Sequence, residues 1–450
     1  MSALVVLLIG GSVNLRKVSA QHSENVKVLA IGNSFSEDAL TYLRDISVAG
    51  GSTLDLYHLV IGGSSLEQHW RNAERNTPAY TFVRKEGQNI SESGKTLAYG
   101  LEYEEYDYIV IQQVSGLSGI ADSYEPYLSN LISYIRGFNT DAVLMIHQTW
   151  AYEKNSTHVD FPRYNKNQET MYEQINTAVN IAAETHGLNI IPCGEAVHKA
   201  RENARFDIEK GGVSLCRDGY HMADAGRVLL GLVWNSVFTG NTAADNPFKL
   251  DNISAEDMQI LKEAADYAIE QYRSRWIMDV VLQGEGEISV LQNDQIHSKN
   301  LFLQVTYQDG QKKEIALDIL SNINTGEIGK QEQSFWYWAK QFKIMINVIS
   351  REKVDNLIEN IKNVVRFPNI DDIKSLLSEY NSLSDIEKDG ITNYSDLIKL
   401  KEQYLDNNPS ENRQPDKNYD IGLGAILGIV GGCLVVVAVI IIIILVLKKR

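Results

Sequence analysis

A serine beside a predicted strand end is the first residue that could do chemistry. Gly32, Asn33 and Ser34 follow the apolar run Val26–Ile31 and precede a helical pattern that begins at Ser36. A hydroxyl at such a junction lies near backbone N–H groups, which can stabilise a developing negative charge. Taken alone, the serine could equally be a helix cap.

An acid and a base stand three residues apart near the end of the same region, at Asp218 and His221. At this spacing on a tight turn, the carboxylate can accept the Nδ1 proton, which leaves Nε2 free to act as a base toward a serine hydroxyl. The alternative is a polar turn ahead of the helix predicted from Ala223. Ser34, Asp218 and His221 within one α/β unit together predict a serine hydrolase.

The elements that would position these residues follow one another as alternating strands and helices. Helical patterns include Met171–Thr185 and Ala223–Phe238, and they separate short apolar runs that are rich in β-branched residues. The predicted buried strands are Val26–Ile31, Leu54–Ile61, Tyr108–Gln113, Val143–Gln148 and Leu188–Pro192. This alternation predicts an α/β domain over residues 25–273, a parallel sheet with helices on both faces and working residues at the carboxyl ends of its strands.

Residues 25–273 resemble the SGNH/GDSL-type hydrolase family, and the longer motifs resemble a less-studied branch of it. The motif GNS that ends at Ser34 resembles the family's nucleophile block, and DGYH, which ends at His221, resembles the block that supplies its acid and base. The resemblance implies a three-layer α/β/α fold. It also implies that Ser34, Asp218 and His221 form the catalytic triad.

The resemblance further implies an oxyanion hole. The loop Ile61–Leu66 (IGGSSL) resembles the block that contributes a glycine N–H, for which Gly63 is the first candidate and Gly62 the second. After the third strand the family usually shows Gly-x-Asn-Asp, whereas this chain has IQQVSG, in which the amide of Gln113 could donate the same hydrogen bond. The implied donors are therefore the N–H groups of Ser34 and Gly63 and the side chain of Gln113.

SGNH enzymes that act on sugars are often O-acetyl esterases, so the resemblance implies removal of a short acyl group from a carbohydrate through an acyl-enzyme. Gln148 and Trp150 stand at the end of a predicted strand and could line the pocket, with the indole stacked on a sugar ring. Trp150 is equally interpreted as a core aromatic residue. His69 and Trp70 allow the same two interpretations.

Two other functional classes compete with the esterase. The first is a surface adhesin that binds glycans through an SGNH-type fold without turnover. A binding module, however, has no need of a serine, a histidine and an aspartate together. The second is a lipase or thioesterase, for which the sequence offers no long apolar lid segment.

Composition excludes several partners and cofactors. Forty-two Lys and Arg against 58 Asp and Glu give a formal charge of −16, which argues against nucleic acid as a partner. The nine histidines show no metal-ligand spacing, so we predict neither a metal nor another cofactor. Three cysteines do not make a disulfide scaffold. Cys193 and Cys216 flank predicted site loops as either a disulfide or two free thiols, and Cys433 lies in an apolar run.

The two ends of the chain predict a membrane anchor. Residues 1–20 resemble a signal peptide, and residues 421–447 form an uncharged apolar run long enough to span a bilayer, ahead of the basic tail 448–450. The positive-inside rule then predicts a single-pass protein of the plasma membrane with an extracellular N-terminal part. Four sequons, at Asn89, Asn155, Asn252 and Asn393, fit this location. Gly424, Gly428 and Gly432 could pack a homodimer in the membrane.

Three further segments are predicted between the α/β domain and the membrane. Residues 276–349 have a β texture and resemble a bacterial-type Ig-like domain, with LQVTYQDG as the characteristic hairpin. Residues 351–405 show helical periodicity and resemble the short helical modules that follow such domains in surface proteins. Residues 406–420 are polar and predict a flexible stalk. These segments indicate spacing or adhesion rather than catalysis.

Overall fold

A computed structural model describes residues 25–139, 141–284, 287–296, 301–317 and 323–406. These residues form two units, of which the first ends at Ile349 and the second begins at Ser350. The predicted signal peptide, the stalk beyond Asp406, the apolar run 421–447 with its three glycines, and the basic tail lie outside the described residues. Within the described ranges, no helix combines the length and the apolar character that a membrane crossing requires.

A seven-stranded sheet forms the centre of the first unit, in the order β4-β3-β2-β1-β5-β6-β7. Strands β1, β2, β5, β6 and β7 run parallel, and β3 and β4 add an antiparallel edge. The strands are β1 (Val26–Gly32), β2 (Leu54–Val60), β3 (Tyr80–Lys85), β4 (Asn89–Lys95), β5 (Tyr108–Ile111), β6 (Val143–His147) and β7 (Asn189–Ile191). All five predicted strands are present and parallel.

Helices cover both faces of this sheet. They are α1 (Ser34–Leu40), α2 (Leu43–Ala49), α3 (Leu66–Glu74), α4 (Leu97–Glu102), α5 (Tyr127–Arg136), α6 (Gln168–His186), α7 (Cys193–Glu202), α8 (Asp224–Thr239) and α9 (Ala255–Arg273), with 3₁₀ turns at Ala121–Ser123, Phe161–Tyr164 and Ile208–Lys210. Side chains of β1 alternate between two cores: Val28 and Ala30 pack with α1, α2, α7, α8 and α9, while Leu29 and Ile31 pack with α3, α4 and α5. The predicted three-layer α/β/α fold is confirmed.

Two local features differ from the expectation. The hairpin of β3 and β4 was not predicted, because β4 is a polar and largely exposed edge strand with no apolar periodicity. The single helix expected from Ser36 to the stop at Gly50 and Gly51 is divided at Thr41 and Tyr42 into α1 and α2. Neither difference affects the positions at which β1 and β2 end.

The first unit continues into a sandwich of two three-stranded sheets, β11-β10-β8 and β12-β13-β9. Its strands are β8 (Ile277–Gln283), β9 (Glu287–Leu291), β10 (Phe302–Tyr307), β11 (Lys312–Ala316), β12 (Gly329–Tyr337) and β13 (Lys340–Ile349). Val280, Leu303 and Ile346 share one hydrophobic core between the sheets. The sandwich contacts the α/β domain where Trp338 N–H donates to His186 O over 3.1 Å. Its Ig-like character stays a prediction.

The second unit is helical, as its periodicity predicts. Val354, Leu357, Ile361 and Leu397 are completely buried within it. Its helices are α10 (Glu352–Arg366), α11 (Ile370–Ser382), α12 (Asp385–Asp389) and α13 (Tyr394–Lys401), followed by a π-helical turn at Glu402–Asp406.

Candidate active site

The junction between β1 and α1 presents Ser34 at the carboxyl edge of the sheet. β1 ends at Gly32, and Asn33 caps α1, with its Oδ1 accepting a hydrogen bond from Phe35 N–H over 3.0 Å. The Asn33 amide also donates to Ser64 O over 2.9 Å, which ties this junction to the loop after β2. Ser34 is the first residue of the helix and is half-buried, so its hydroxyl is accessible from the solvent.

Ser34, His221 and Asp218 form a continuous hydrogen-bonded chain. The Ser34 hydroxyl lies 2.9 Å from His221 Nε2, and His221 Nδ1 lies 2.7 Å from Asp218 Oδ2. Asp218 Oδ1 accepts the backbone N–H groups of His221 over 2.7 Å and of Tyr220 over 3.1 Å. The structure thus brings together all three residues of the predicted triad.

The electrostatics of Asp218 suit an orienting carboxylate. Partial burial alone would raise the pKa of Asp218, but hydrogen bonds from the His221 ring and from the N–H groups of His221 and Tyr220 outweigh it and lower this pKa below its ordinary value. Asp218 is therefore ionised at neutral pH. An ionised carboxylate at this position keeps the proton on Nδ1, so that Nε2 can accept the Ser34 proton.

A second carboxylate, Asp38, connects α1 to the turn that carries the acid and base. Asp38 follows Ser34 by one helical turn and is buried. It accepts hydrogen bonds from Arg217 Nη1 and Arg227 Nε, each over 2.9 Å, and from Met222 N–H over 2.8 Å. Sequence reasoning missed Asp38. The available signal was its spacing of four residues from Ser34, which places both on one face of α1.

Two other serine–histidine pairs lie near Ser34 but are closed to substrate. Ser36 Oγ is 2.8 Å from His58 Nε2, and Ser64 Oγ is 2.8 Å from His69 Nε2. All four residues are buried. Burial lowers the pKa of His58, with a contribution from Lys85, to about 3, and it lowers the pKa of His69 to about 4. These neutral pairs support the loops after β1 and β2.

The loop after β2 carries the predicted oxyanion donor. Ile61 N–H donates to Gly32 O over 3.2 Å, so this loop begins directly beside the serine junction. Gly63 is exposed and has φ = +65°, a conformation that glycine adopts without strain. Within the described part of the chain, the N–H groups of Ser34 and Gly63 have no hydrogen-bond partner, and the same holds for Gly62.

Comparison with known proteins identifies the family of this chain. A family described as a domain of unknown function, DUF4886, matches residues 27–268, which is more than half of the chain. The chain belongs to the DUF4886 family. No curated protein matches it. A solved DUF4886 structure from Bacteroides uniformis ATCC 8492 is 40% identical over 55% of this chain and 95% of its own, with a TM-score of 0.52.

More distant solved structures are also similar to the DUF4886 domain. Axe2, an acetylxylan esterase from Geobacillus stearothermophilus, is 14% identical over 48% of this chain and 94% of its own, with a TM-score of 0.32. A member of the lipolytic G-D-S-L family from Veillonella parvula DSM 2008 is 12% identical over 47% of this chain and 96% of its own, with a TM-score of 0.28.

Gln113 is not an oxyanion donor in this DUF4886 domain, contrary to the expectation. Its amide nitrogen donates to Ser123 O over 2.9 Å and to Ser123 Oγ over 3.1 Å. Its amide oxygen accepts the N–H groups of Leu66 over 3.1 Å and of Val114 over 2.8 Å. Because the buried amide already uses both of its donor hydrogens on Ser123, Gln113 fastens three backbone segments together instead.

The expectation that Gln148 lines the pocket is also wrong. Its side chain is buried, and its amide nitrogen donates to Tyr272 OH over 3.1 Å and to Asn176 Oδ1 over 3.3 Å. Its amide oxygen accepts the N–H of Glu195 over 2.9 Å. Gln148 therefore joins β6 to α6, α7 and α9 beneath the site.

Trp150 is a core residue, so the alternative interpretation of its side chain is correct. It is completely buried, and its indole stacks on Phe35 with the ring centroids 4.1 Å apart. The indole N–H donates to Tyr220 O over 2.7 Å. Trp150 thus supports, from inside the domain, the residues that follow Ser34 and precede His221. His69 is likewise a core residue, hydrogen-bonded to Ser64 and Tyr80.

Cys193 and Cys216 are two free, buried thiols and do not form a disulfide. Burial raises the pKa of Cys216 to about 12 and raises that of Cys193 further. Both thiols are therefore protonated and inert at neutral pH. The described residues also contain no group of three His, Cys, Asp or Glu side chains that could hold a metal ion.

Proposed function

We propose that the DUF4886 domain of this chain is a serine esterase of the SGNH type. The observation that carries this proposal is the chain from Ser34 Oγ through His221 to Asp218, with links of 2.9 and 2.7 Å. Of the three serine–histidine pairs at this edge of the sheet, it is the one in which both partners are accessible. A nucleophile, a base and an orienting acid in this order are the parts that acyl transfer requires.

In the proposed acylation step, Ser34 Oγ attacks the ester carbonyl carbon while His221 Nε2 takes the hydroxyl proton. The negative charge of Asp218 stabilises the imidazolium that results. The N–H groups of Ser34 and Gly63 stabilise the oxyanion, because neither has another partner within the described ranges. When the tetrahedral intermediate collapses, the carbon–oxygen bond to the alcohol breaks and the alcohol leaves with the proton from His221.

Deacylation repeats the same steps with water. His221 Nε2 takes a proton from the water molecule as its oxygen attacks the carbonyl carbon of the acyl-enzyme. The second tetrahedral intermediate collapses, the bond to Ser34 Oγ breaks, and His221 returns a proton to that oxygen. The carboxylic acid leaves, and no metal or cofactor takes part in the proposed cycle.

The proposed substrate is an O-acetyl or other short acyl ester of a carbohydrate, and the proposed location is the cell surface. The substrate class rests on the sequence resemblance described above. The location rests on residues 1–20 and 421–447. The adhesin remains the competing hypothesis, but an accessible triad speaks against it because binding alone does not require one.

A covalent probe tests the proposal on the full chain. A fluorophosphonate should label Ser34, and 4-nitrophenyl acetate should be hydrolysed. Ser34→Ala should abolish labelling and lower turnover by about 10³-fold or more, since members of a triad act as a unit. Ser36→Ala is the matched control, because Ser36 stands two residues away and is buried. It should keep labelling at Ser34.

Two results would overturn the esterase proposal. The first is a Ser34→Ala variant that keeps wild-type turnover, which would show that Ser34 is not the nucleophile. The second is a folded wild-type chain that is neither labelled nor active but binds acetylated glycans. That result would support the adhesin.

A further inference from the structure

The segment between β6 and α6 lies directly against the turn that carries the acid and base. Glu153 N–H donates to Gly219 O over 2.8 Å. Gly219 has φ = +88°, and a side chain at this position would meet Ser156 Cα at 3.1 Å, so only glycine allows the two backbones to approach this closely. Residues that follow Ser156 are therefore held beside the triad.

His158 is fixed in this segment by two aromatic rings. Its ring centroid is 4.5 Å from that of Tyr152 and 4.6 Å from that of Tyr220, and the His158 and Tyr220 rings are T-shaped at an interplanar angle of 78°. The Tyr220 ring is in turn 4.3 Å from the His221 ring. One aromatic side chain thus separates His158 from the triad histidine.

The hydrogen bonds of His158 determine which ring nitrogen carries the proton. Nδ1 accepts the N–H of Asp160 over 3.2 Å, whereas the Asp160 carboxylate lies 3.9 Å from Nδ1. Burial lowers the pKa of His158. The Asp160 carboxylate opposes this effect, His221 adds to it and Asp218 opposes it, and the net direction is downward, so the ring is neutral at neutral pH. A neutral ring that accepts at Nδ1 carries its hydrogen on Nε2.

This Nε2–H group is an unused donor. The His158 side chain is 20% exposed, and solvent reaches its Nε2 atom. Within the described residues Nε2 has no hydrogen-bond partner. A donor that is held in place at low conformational cost, one aromatic ring away from His221, is suited to binding a substrate oxygen.

We infer that His158 is a substrate-binding residue, whose Nε2–H donates a hydrogen bond to an oxygen on the alcohol part of the ester. This inference rests on the proposed esterase function and narrows its substrate class. The alcohol must carry an acceptor oxygen near the ester, which a sugar provides and a simple aryl or alkyl alcohol does not. His158 then selects sugar esters over simple esters.

Paired substitutions separate the Nε2 donor from the rest of the ring. His158→Asn places an amide oxygen near the position of Nδ1 and can keep the bond to Asp160, but it removes the donor at Nε2. His158→Gln extends an amide nitrogen toward the position of Nε2 and restores a donor. Val159→Ala is the matched control, because Val159 is the next residue and is 84% exposed.

The measurement is kcat/KM of the full chain for a partly acetylated methyl xyloside and for 4-nitrophenyl acetate, whose leaving group lacks a neighbouring hydroxyl. The quantity of interest is the ratio of kcat/KM for the xyloside to kcat/KM for 4-nitrophenyl acetate. We expect His158→Asn to lower this ratio about three- to tenfold, the value of one neutral hydrogen bond. His158→Gln should recover most of the ratio, and Val159→Ala should leave it unchanged.

The inference is overturned if His158→Asn leaves the ratio at its wild-type value, or if His158→Gln lowers it as far as His158→Asn does. It is also overturned if the wild type hydrolyses 4-nitrophenyl acetate but not the xyloside. Failure of the proposed function is a different result, in which the wild type hydrolyses neither ester. Melting curves of the variants show whether a lost activity reflects unfolding.

Discussion

Asp38 and Arg217 form an ion pair 2.9 Å long that joins the helix beginning at Ser34 to the turn that carries His221. The Asp38 carboxylate also accepts the Met222 N–H, the first backbone donor after His221. Because this carboxylate is buried and fully hydrogen-bonded, its position is closely defined. The 2.9 Å separation of Ser34 and His221 therefore depends on a residue that does not belong to the triad.

Asp38→Asn should lower kcat more than it changes KM. The amide keeps the size of the side chain but loses the charge that holds Arg217 and Arg227, so the turn is free to shift relative to Ser34. A displacement of about 1 Å at the reacting groups lowers kcat by roughly 100-fold. We also expect the free energy of unfolding to fall by about 2 kcal/mol, since the buried Asp38 loses its charge-assisted hydrogen bonds to the more exposed Arg217 and Arg227. Steady-state kinetics and urea unfolding measure the two effects.

Glu153→Gln is the control for Asp38→Asn. Glu153 is an equally buried carboxylate, 3.0 Å from Arg201, and its side chain does not contact the turn of His221. This variant should lose a similar amount of stability and keep a kcat near that of the wild type. An equal loss of kcat in both variants would show that Asp38 acts only through general stability.

Gln113 offers a test of the oxyanion hole. Gln113→Ala removes four hydrogen bonds, one buried and three partly buried, and should lower the free energy of unfolding by about 1–3 kcal/mol. Removal of an oxyanion donor, by contrast, costs about 10²–10³-fold in kcat. We expect kcat to stay within about tenfold of the wild type, below that range. A larger loss at unchanged stability would mean that Gln113 contacts the oxyanion after all.

The sequence was sufficient to predict the central sheet, because buried parallel strands such as Leu54–Val60 are nearly continuous apolar runs. The edge strand Asn89–Lys95 has no such pattern. Its backbone pairs with β3, while its side chains are mostly exposed. Strand order at the edge therefore could not be predicted from periodicity.

The triad was predictable for a similar reason. Ser34 and the Asp218–His221 turn are short motifs whose chemistry depends on residue type and local spacing. Gln148 was wrongly assigned to the pocket because its position at a strand end does not reveal whether its side chain points into a pocket or into the core. Its partners Asn176 and Tyr272 come from distant parts of the chain. The role proposed for His158 was not predicted, because a single histidine in a loop carries no local signal.

The free thiols of Cys193 and Cys216 can be checked chemically. Alkylation of the denatured, unreduced chain should modify both, as mass spectrometry of the peptides would show. A disulfide between them would stabilise the fold by roughly 3 kcal/mol. We therefore expect the unfolding transition to be unchanged by a reductant. A Cys193–Cys216 crosslinked peptide, or a reductant-sensitive transition, would contradict the structure at this position.

Asp218→Asn should lower the rate of ester hydrolysis. Because hydrogen bonds from the His221 ring and from two backbone N–H groups lower the Asp218 pKa, the wild-type side chain is ionised at neutral pH. Removing this charge destabilises the imidazolium that forms during acylation, so kcat/KM at neutral pH should fall by about 10³–10⁴-fold in steady-state assays.

The pH dependence of the free energy of unfolding provides a second test of Asp218→Asn. A carboxyl whose folded pKa lies below its unfolded value of about 3.9 contributes stability above that pH and loses it as the pH falls through the folded pKa. Asp218→Asn should therefore weaken the decline in unfolding free energy below about pH 4. Asp224→Asn is the control, because the hydrogen bond from Tyr42 is the largest cause of its lowered pKa and Asp224 makes no contact with Ser34 or His221. It should weaken the same decline yet retain wild-type turnover, and an equal loss of turnover in both variants would argue against Asp218 as the partner of His221.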